Sequence, residues 1–429
     1  MALGRLIGDD LKPQFLLKIN DYEISEGVAA LITTIEYDST DEGSADMMKL
    51  TVKNPNLEVS NKKLFQCGNT LKLWGGYSSP LEFIGGVIIE KIRPTFPAGG
   101  STPSLEIVGY SADRLMMRNS PPPVKDGKPF LTEKEQEKQD KKDRKAVERE
   151  ERRTKIKRQE GKTWPEDSFY SDAIADKAKV YSFREDIDRT PRAIVGPLGV
   201  FQKQSLTDYQ FVAGISNELG WLFWVDADPD GPFWTLHFKD PDTTATIQNF
   251  KYDFKYNSGD ETSLISFDGE QLMGNGPVEL SVQIKNTKTG KLESYSITAE
   301  DGVDVQYAGE EAEDLSEAPR TPQEVTISFG NVAVQTFSDR TFQSPAQVKQ
   351  WADRWFEENK HFFTGSGVVK GLGVEKLRAR QVHAMSGLSD VWDGDYYFTN
   401  VNLKWNNSTG LVCTWNGRKI PPNEGSDGL

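Results

Sequence analysis

The sequence predicts a mainly β protein with some α+β structure, and three patterns in the chain support this. Short segments near both ends alternate apolar and polar residues with a period of two, which is typical of strands with one buried face. In the middle, one helix-like segment precedes two apolar, strand-like segments joined by a turn. A charged run within 119–163 interrupts these patterns and separates the first β-rich region from the rest.

Length and composition set the class of protein. A chain of 429 residues is too long for one compact core, which predicts two to four domains. The apolar content of 36% suits a soluble protein, and no run approaches the roughly 18 apolar residues of a membrane span. The start, MALGRLIGDD, lacks the regions of a signal peptide. Cys67 and Cys413, far apart, predict a reduced intracellular chain rather than a disulfide framework.

The charge balance argues against a protein that wraps nucleic acid. The net charge is −14, whereas phosphate binding needs clustered lysine and arginine. Residues 131–160 hold 12 basic and 9 acidic residues and so contribute +3, which leaves −17 on the rest of the chain.

Residues 1–118 are predicted to form a first β-barrel domain. Gly75 and Gly76 provide turn chemistry between two of its strands. Gly85 and Gly86 lie inside a strand pattern, where they indicate a bulge or sharp bend that lets a sheet curl into a barrel. The strand-like segments begin at Phe15, Leu31, Met48, Cys67, Leu81 and Ser104.

Residues 119–163 are predicted to be a linker followed by a charged arm. The linker contains Pro121, Pro122 and Pro123, and 131–160 has almost no apolar residues to bury. Such a segment is either a solvated helix held by i,i+4 charge pairs or disordered. Two interpretations stay open, a contact arm to a neighbouring protein and a solvated excursion.

Residues 164–245 are predicted to form a small α/β domain. A first short helix covers 168–179, with Ile174 and Ala178 on one side. In the second helix, Ser205 or Thr207 can cap the N-terminus and Asp208 suits the positive end of the helix dipole. Its apolar stripe, which we expect to pack on a strand over 221–225, contains Phe211, Val212, Ile215 and Leu219, and Gly220 ends the helix. A turn over 226–231 leads to the returning strand at 233–238.

Residues 246–418 are predicted to form a second β domain, and 419–429 a C-terminal tail. Strand patterns cover 264–270 and 278–286, and alternation resumes at Glu324. The acidic stretch at 300–320 is predicted to be a loop. Ser344 and Pro345 provide an N-cap and a first helical residue for a helix that reaches about residue 363.

The search for reactive groups predicts no catalytic, cofactor-binding or metal-binding residues. His237, His361 and His383 lie in separate modules without a second ligand at helical or hairpin spacing. Asp226, Asp228 and Asp230 begin like a calcium loop, but His237 stands where the bidentate glutamate should be, so a hairpin turn explains them. Trp221, Trp224 and Trp234 suit an apolar core better than a sugar platform. Cys67 has no histidine partner indicated by the sequence.

Three segments, in the same order, resemble the late control protein D group of phage tail hubs. The first is the succession of strands and glycines over 67–87, the second the helix and aromatic strand over 201–226, and the third Asp393-Gly394 to Val401 after the predicted helix. The resemblance covers about 10–118, 164–240 and 325–418. Two positions depart from the pattern: 402–405 lacks a histidine that many members carry, and Arg378-Ala379-Arg380 replaces an Ala-Gly step.

The resemblance implies two tail-tube-like β-barrels per chain and a structural role without enzymatic activity. The group forms homotrimeric adaptors in the baseplate of contractile tails, which join the hexameric tail tube or its initiator ring to the trimeric central spike. The tape measure and baseplate wedge proteins are further implied partners. DNA passes through the enclosed channel without specific binding. The implied location is the virion tail, after synthesis in the host cytoplasm.

Two alternatives to a phage tail hub follow from the same residues. One is the hub of a phage-derived contractile injection particle or of a type VI-like secretion particle, whose chains usually continue into a spike. The other is a tail-associated cell-wall hydrolase, which needs a lytic domain, and the charged arm offers no core for one.

Overall fold

A computed structural model shows the fold. The structure describes residues 13–41, 44–61, 64–77, 80–99, 101–118, 162–164, 168–190, 201–202, 206–219, 221–240, 250–259, 262–271, 279–285, 292–298, 334–342, 363–406 and 409–420. The predicted arm, the acidic loop at 300–320, the helix predicted over 344–363 and the end of the C-terminal tail lie outside the described residues, except for the last two residues of the arm interval and Phe363.

Strands make up most of the described chain, which confirms the mainly β prediction. The strands are β1 (Gln14–Ile19), β2 (Tyr22–Glu23), β3 (Ile32–Thr40), β4 (Met47–Lys53), β5 (Thr70–Gly76), β6 (Glu82–Thr95), β7 (Ser104–Tyr110), β8 (Lys162–Thr163), β9 (Arg184–Ile187), β10 (Phe201–Gln202), β11 (Leu222–Ala227), β12 (Trp234–Lys239), β13 (Asp253–Lys255), β14 (Leu264–Gln271), β15 (Glu279–Lys285), β16 (Leu292–Thr298), β17 (Val334–Phe342), β18 (Phe363–Val369), β19 (Val382–Ser386), β20 (Gly394–Asn406) and β21 (Gly410–Lys419). The helices are α1 (Glu26–Ala29), α2 (Glu58–Asn61), α3 (Asp113–Arg118), α4 (Tyr170–Val180) and α5 (Asp208–Leu219).

Thirteen of these strands form one sheet with two halves. Its order is β14-β18-β21-β20-β3-β4-β7-β6-β5-β1-β2, and β19 and β13 extend from β20 on a branch. The first half contains the strands predicted within 1–118. The second half contains strands from both ends of the predicted 246–418 region. The boundaries of the domains themselves stay a prediction.

The first half bends where the sequence places two adjacent glycines. Leu73 pairs with Gly85 and Trp74 pairs with Phe83, so Ile84 is an extra residue and forms the predicted bulge. The aromatic ring of Tyr37 lies against Gly85, since a Cβ atom at Gly85 would come within 2.6 Å of three Tyr37 atoms. A side chain at this position would therefore prevent the strand from curling over the core.

The second half curves back on itself. From β14 the strands run through β18, β21, β20 and β19 to β13, and a bridge from Tyr256 to Leu264 returns to the start of β14. Alternate residues of β20 and β21 face the interior, where Tyr396, Phe398 and Trp415 are fully buried. Barrel-like closure is therefore built from ordinary two-residue alternation.

Two contacts hold the halves together. Residues 400–406 of β20 pair antiparallel with residues 34–40 of β3, which makes the two halves one hydrogen-bonded sheet. On the opposite side, the Phe15 and Trp405 rings meet at 4.6 Å, and the Tyr77 hydroxyl donates to the Leu411 carbonyl at 3.3 Å. The buried apolar residues of both halves consequently form one core.

The small domain has its own core between helices α4 and α5 and the sheet β11-β12-β9. Phe211, Val212, Ile215 and Leu219 are buried there, which confirms the predicted apolar stripe of α5. Of the two predicted caps, Thr207 caps the helix, because its hydroxyl accepts from the Gln210 amide at 3.1 Å and the Gln210 side chain accepts from the Thr207 amide at 3.0 Å.

Two features differ from the sequence-based expectation. β15, predicted within the second β domain, pairs with β16 and β17 in a separate three-stranded sheet instead of joining the large sheet. The end of the first β domain also turns into helix α3, whose Met116 packs in the core of the small domain together with Ala112. Alternation predicts that a segment is a strand, but it does not specify which neighbour the strand will pair with.

Candidate functional site

The small domain docks on the outer face of the first half, where two close contacts fix it. Ala227 of β11 fits against Gly86, where an added Cβ would lie 2.5 Å from the alanine methyl group. Lys72, only 2% exposed, donates from Nζ to the Asp21 carboxylate at 2.5 Å and to the Gly231 carbonyl at 2.6 Å. A buried ammonium with a charged partner and a carbonyl partner fixes the hairpin at one position on the sheet.

A small polar cleft lies where the small domain meets both halves of the sheet, and we name it the junction. Its walls are formed by the loop between β3 and β4, the start of α3, residues of α5 and β11, and Arg380, which lies two residues before β19. Its charged and aromatic lining residues include Asp41, Asp46, Asp113, Tyr209, Trp224 and Arg380.

Hydrogen bonds within the junction tie the halves to each other. The Tyr37 hydroxyl donates to Asp46 Oδ2 at 3.0 Å, and the Tyr397 hydroxyl donates to Asp41 Oδ2 at 2.7 Å. The Arg380 guanidinium donates to the Thr40 carbonyl at 2.5 Å. Since Tyr397 and Arg380 come from the second half and the acceptors come from the first, these bonds reinforce the β3–β20 pairing.

Burial changes the acid–base behaviour of the junction. Desolvation raises the pKa of the Asp113 carboxyl to about 7, against the opposing effect of the hydrogen bond from the Ser111 hydroxyl at 2.5 Å. Desolvation also raises the pKa of Asp46, while the positive charge of Arg380 opposes this shift. The junction therefore contains carboxyl groups that retain their protons at higher pH than surface aspartates do.

The side of the β3–β20 region that faces away from the core carries polar and charged side chains, and we name it the polar face. Glu36 and Asp38 alternate with buried residues of β3, and Lys404 of β20 reaches Glu36 at 2.6 Å. Asn400 donates to Asp38 at 3.0 Å. Lys49 of β4 lies 3.4 Å from Glu106 of β7. Lys49 and Lys404 are thus paired with carboxylates, which lowers their capacity to bind phosphate groups.

The aspartates of the predicted hairpin turn contact protein groups. Asp228 accepts from the Arg184 guanidinium and from the Asp230 amide, and Asp226 accepts from the Trp224 indole at 2.7 Å. His237 pairs with Asp186 at 2.7 Å. Among the described residues, no group of three or more histidine, cysteine or acidic side chains has the arrangement of a metal site.

The three tryptophans of the small domain have different environments. Trp221 is 8% exposed, and Trp234 packs at the edge of the core, as predicted. Trp224 lies on the other face of β11, between the His237 ring at 4.6 Å and the Arg380 guanidinium at 5.0 Å. The prediction that all three belong to the core is therefore wrong for Trp224, which is part of the junction.

The remaining candidate residues lie apart. His383 is fully buried among Phe250, Tyr252, Phe254 and Phe398. Burial lowers the pKa of this imidazole to about 3, and its Nδ1 accepts from the Tyr252 amide at 3.2 Å.

The cysteines are also separate. Cys67 is exposed, Cys413 is buried in the large core, and His361 lies outside the described residues. The structure therefore brings no histidine described here to either cysteine.

Arg380 and Lys177 are residues that the sequence analysis did not identify as important. Lys177 of α4 pairs with Asp208 at 2.6 Å, and both side chains are nearly inaccessible, at 4% and 0% exposed. Asp208 also accepts from Tyr181 and Gln202. The sequence indicates Asp208 only as an acidic residue that suits the start of a helix. In the structure, Asp208 is buried and lies at the centre of a polar network.

Comparisons with known proteins give a fold and no close relative. No protein-family model and no curated protein matches the sequence. The tail protein from Neisseria meningitidis MC58 matches with a TM-score of 0.57 at 11% identity, over 95% of this chain and 97% of that one. The 43 kDa tail protein of prophage MuSo2 from Shewanella oneidensis matches with a TM-score of 0.55 at 10% identity, over 94% and 98%.

The chain has the fold of phage tail proteins. Nearly full coverage of both chains means that the large sheet and the small domain are compared together, not one module alone. This confirms, at the level of the fold, the resemblance that the sequence motifs indicated. In this tail-protein fold, the junction and the polar face are the described surfaces with organised polar chemistry.

No helix in the described part of the chain has both the length and the apolar character needed to cross a bilayer.

Proposed function

We propose that this protein is the structural hub of a contractile phage tail, a homotrimer that adapts the hexameric tail tube to the trimeric central spike. The observation that carries the proposal is the side-by-side joining of two curved units, one of seven strands and one of six, through β3 and β20. Three chains would present six such units to a sixfold tube, while keeping threefold symmetry for a spike. The tail-protein fold supports a location in the tail.

The test is the symmetry of the assembled protein. Light scattering measures the mass of the purified chain alone and of its complex with the tube and spike proteins. The adaptor complex should contain three subunits of 48.1 kDa each. An image of the particle should show three copies around one axis at the tube end. A monomer or a simple dimer in the mature particle would contradict the proposal.

We also propose that the trimer encloses a channel and that the polar face lines it. Its paired charges, with Glu36 and Asp38 beside Lys404, suit a wall along which DNA slides without being held. The double change Glu36→Lys and Asp38→Lys would create basic patches, and we expect slower DNA release from assembled particles. Glu185→Lys on the small domain is the matched control, with unchanged release expected. Normal release from the double variant would mean that this face does not line the channel.

The charged arm remains a proposed contact to a neighbouring tail protein. The residues that flank it are held in the fold: Arg118 pairs with Glu90 of β6 at 2.8 Å, and the Trp164 ring stacks on Phe211 of the small domain at 5.3 Å. Replacing 122–160 with a short glycine–serine linker should leave a folded, soluble protein that assembles poorly. An unfolded deletion protein would show that the segment contains a core element, and full assembly would favour the solvated excursion.

A further inference from the structure

The junction concentrates carboxylates at a surface that two packed units share. Asp41, Asp46 and Asp113 line it from the sheet and α3, whereas Arg380 is the guanidinium that reaches into the cleft. Asp113 is 4% exposed and Asp46 is 7% exposed. If all three carboxyl groups ionise, one guanidinium leaves them with an excess of negative charge at a site with little water.

The backbone conformation at Arg380 fixes the position from which the guanidinium reaches the junction. Arg380 has a φ of 70°, in the left-handed region that glycine adopts freely and that side chains disfavour. Its amide donates to the Phe398 carbonyl at 2.7 Å, which holds this conformation. A strained backbone that places a charge beside buried carboxylates indicates a function for the charge.

The small domain forms the other wall of the junction. The charges of the aspartates and of Arg380 therefore affect how tightly this domain docks on the sheet. Tyr209 of α5 and Trp224 of β11 face the carboxylates, and the Arg380 guanidinium lies over the Trp224 ring. Asp46 is faced by Tyr37, Arg380 and Asp226, and Asp113 is faced by Ser111, Asp46, Arg380 and Tyr209. A protonated carboxyl can remain in this contact, whereas an ionised one gains hydration by moving the walls apart.

We infer that the junction is a proton-controlled latch, which keeps the small domain docked while the buried carboxyl of Asp113 carries a proton and weakens the docking when this group ionises. The sign follows from the raised pKa of Asp113, about 7 in the docked state against 3.8 for the free side chain. The docked state binds more protons between these values, so docking is strongest at acidic pH and weakens as pH rises towards 7.

Hydrogen exchange of the full-length protein tests the latch. The reporters are the amides of α5, and the reference amides are those of β21 in the large core. After correction for the intrinsic pH dependence of exchange, protection of α5 relative to β21 should fall at least about tenfold between about pH 5 and about pH 7.5. Asp113→Asn, which imitates the protonated carboxyl, should remove most of this fall.

The matched control is Asp395→Asn, because Asp395 is a surface carboxylate that pairs with Lys251 away from the junction. This variant should respond to pH as the unmodified protein does. Equal α5 protection at both pH values in the unmodified protein would overturn the inference. An unchanged response in Asp113→Asn would overturn it as well.

Infrared spectroscopy provides a measurement on the unmodified protein in case Asp113→Asn does not fold. At about pH 6 a surface aspartate is ionised, whereas the buried Asp113 carboxyl should still show the carbonyl stretch of a protonated acid. This band should disappear as the pH rises to about 8, together with the α5 protection. Its absence at about pH 6 would refute the latch.

Discussion

The two halves of the large sheet fill similar interiors with different side chains. The first half uses aliphatic residues, which include Leu17, Ile35, Met48, Leu50, Leu71, Val87 and Ile107. The second half adds rings to its buried aliphatic residues, and these rings include Phe254, Phe267, Tyr396, Phe398 and Trp415. In that half, the Phe398 and Trp415 rings stack at 4.6 Å with an interplanar angle of 12°.

Glycines make the aromatic interior possible. A Cβ at Gly365 would lie 2.9 Å from both Phe267 and Tyr396, and one at Gly367 would lie 3.1 Å from the Trp415 indole nitrogen. Each ring therefore occupies the space that a side chain on the neighbouring strand would take. An aliphatic interior can adjust by small movements of many methyl groups, whereas a ring that packs on bare backbone has few neighbours that can move.

The largest expected effect tests this contrast directly. Trp415→Ala should lower the free energy of unfolding by about 3–5 kcal/mol, because neighbouring glycines have no side chains to fill the cavity. Leu50→Ala in the first half should cost about 2–4 kcal/mol. Chemical denaturation of both variants measures the difference, and an equal or larger loss for Leu50→Ala would break the comparison.

Trp415→Phe separates the ring from its polar atom. Within the described structure, the buried Trp415 Nε1 has no hydrogen-bond partner, so phenylalanine removes an unsatisfied donor and keeps a ring. The loss should be below about 1.5 kcal/mol. A loss as large as that of Trp415→Ala would mean that the indole shape, rather than ring packing in general, is required.

The next largest loss of stability is expected from a substitution at a glycine that packs against the aromatic interior. Gly367→Ala should destabilise by about 1–3 kcal/mol, since the new Cβ would lie 2.4 Å from the Ser266 carbonyl oxygen. Gly27→Ala is the control: Gly27 lies in α1 with open space around it, and alanine there should stabilise by about 0.5–1 kcal/mol. Thermal unfolding measures both, and unchanged stability of Gly367→Ala would show that the strands separate at little cost.

The buried histidine gives the second half a dependence on pH. Because the folded protein lowers the pKa of His383 to about 3, from 6.5 in the free side chain, the unfolded chain binds more protons between these values. Stability is fully present above pH 6.5 and decreases as the pH falls. Between about pH 7 and about pH 5 the loss should be about 2 kcal/mol.

The variant His383→Asn keeps an acceptor for the Tyr252 amide and removes the titration. Its stability should change less than that of the unmodified protein over the same range, as measured by urea denaturation. The same slope in both proteins would assign the acid sensitivity to other groups.

The smallest effect belongs to the aliphatic half. Ile107→Val should cost about 0.5–1.5 kcal/mol, because the surrounding methyl groups can close part of the space left by one methylene. A loss above about 3 kcal/mol in denaturation would show that the first half is as rigid as the second.

Local patterns predicted the elements well. The stripe of α5, its cap at Thr207 and the bulge beside Gly85 all depend on neighbours in sequence, and the structure confirms them. The partners of strands were not predictable in the same way. The alternation in β3 and in β15 looks equally regular, yet β3 joins β20 and β15 joins a separate sheet, because pairing depends on edges that form only in the folded chain.

The junction was the least predictable part. Its acidic groups come from segments that are far apart in sequence, so no motif contains them together. Arg380 was noticed only as a departure from an Ala-Gly step. Its left-handed φ explains why glycine fits that slot and makes the arginine informative. Trp224 was assigned to the core because alternation alone does not tell which face of an isolated hairpin is covered.

The pairing of β3 with β20 also determines the order in which the chain can fold. Residues 34–40 pair with residues 400–406, so this edge of β3 stays open until residues 400–406 have left the ribosome. Contacts of such sequence separation form slowly, and an open strand edge is a template for aggregation. A nascent chain interrupted before residue 400 therefore leaves this edge of β3 exposed and prone to aggregate. Completion of β20 is the step that covers this edge.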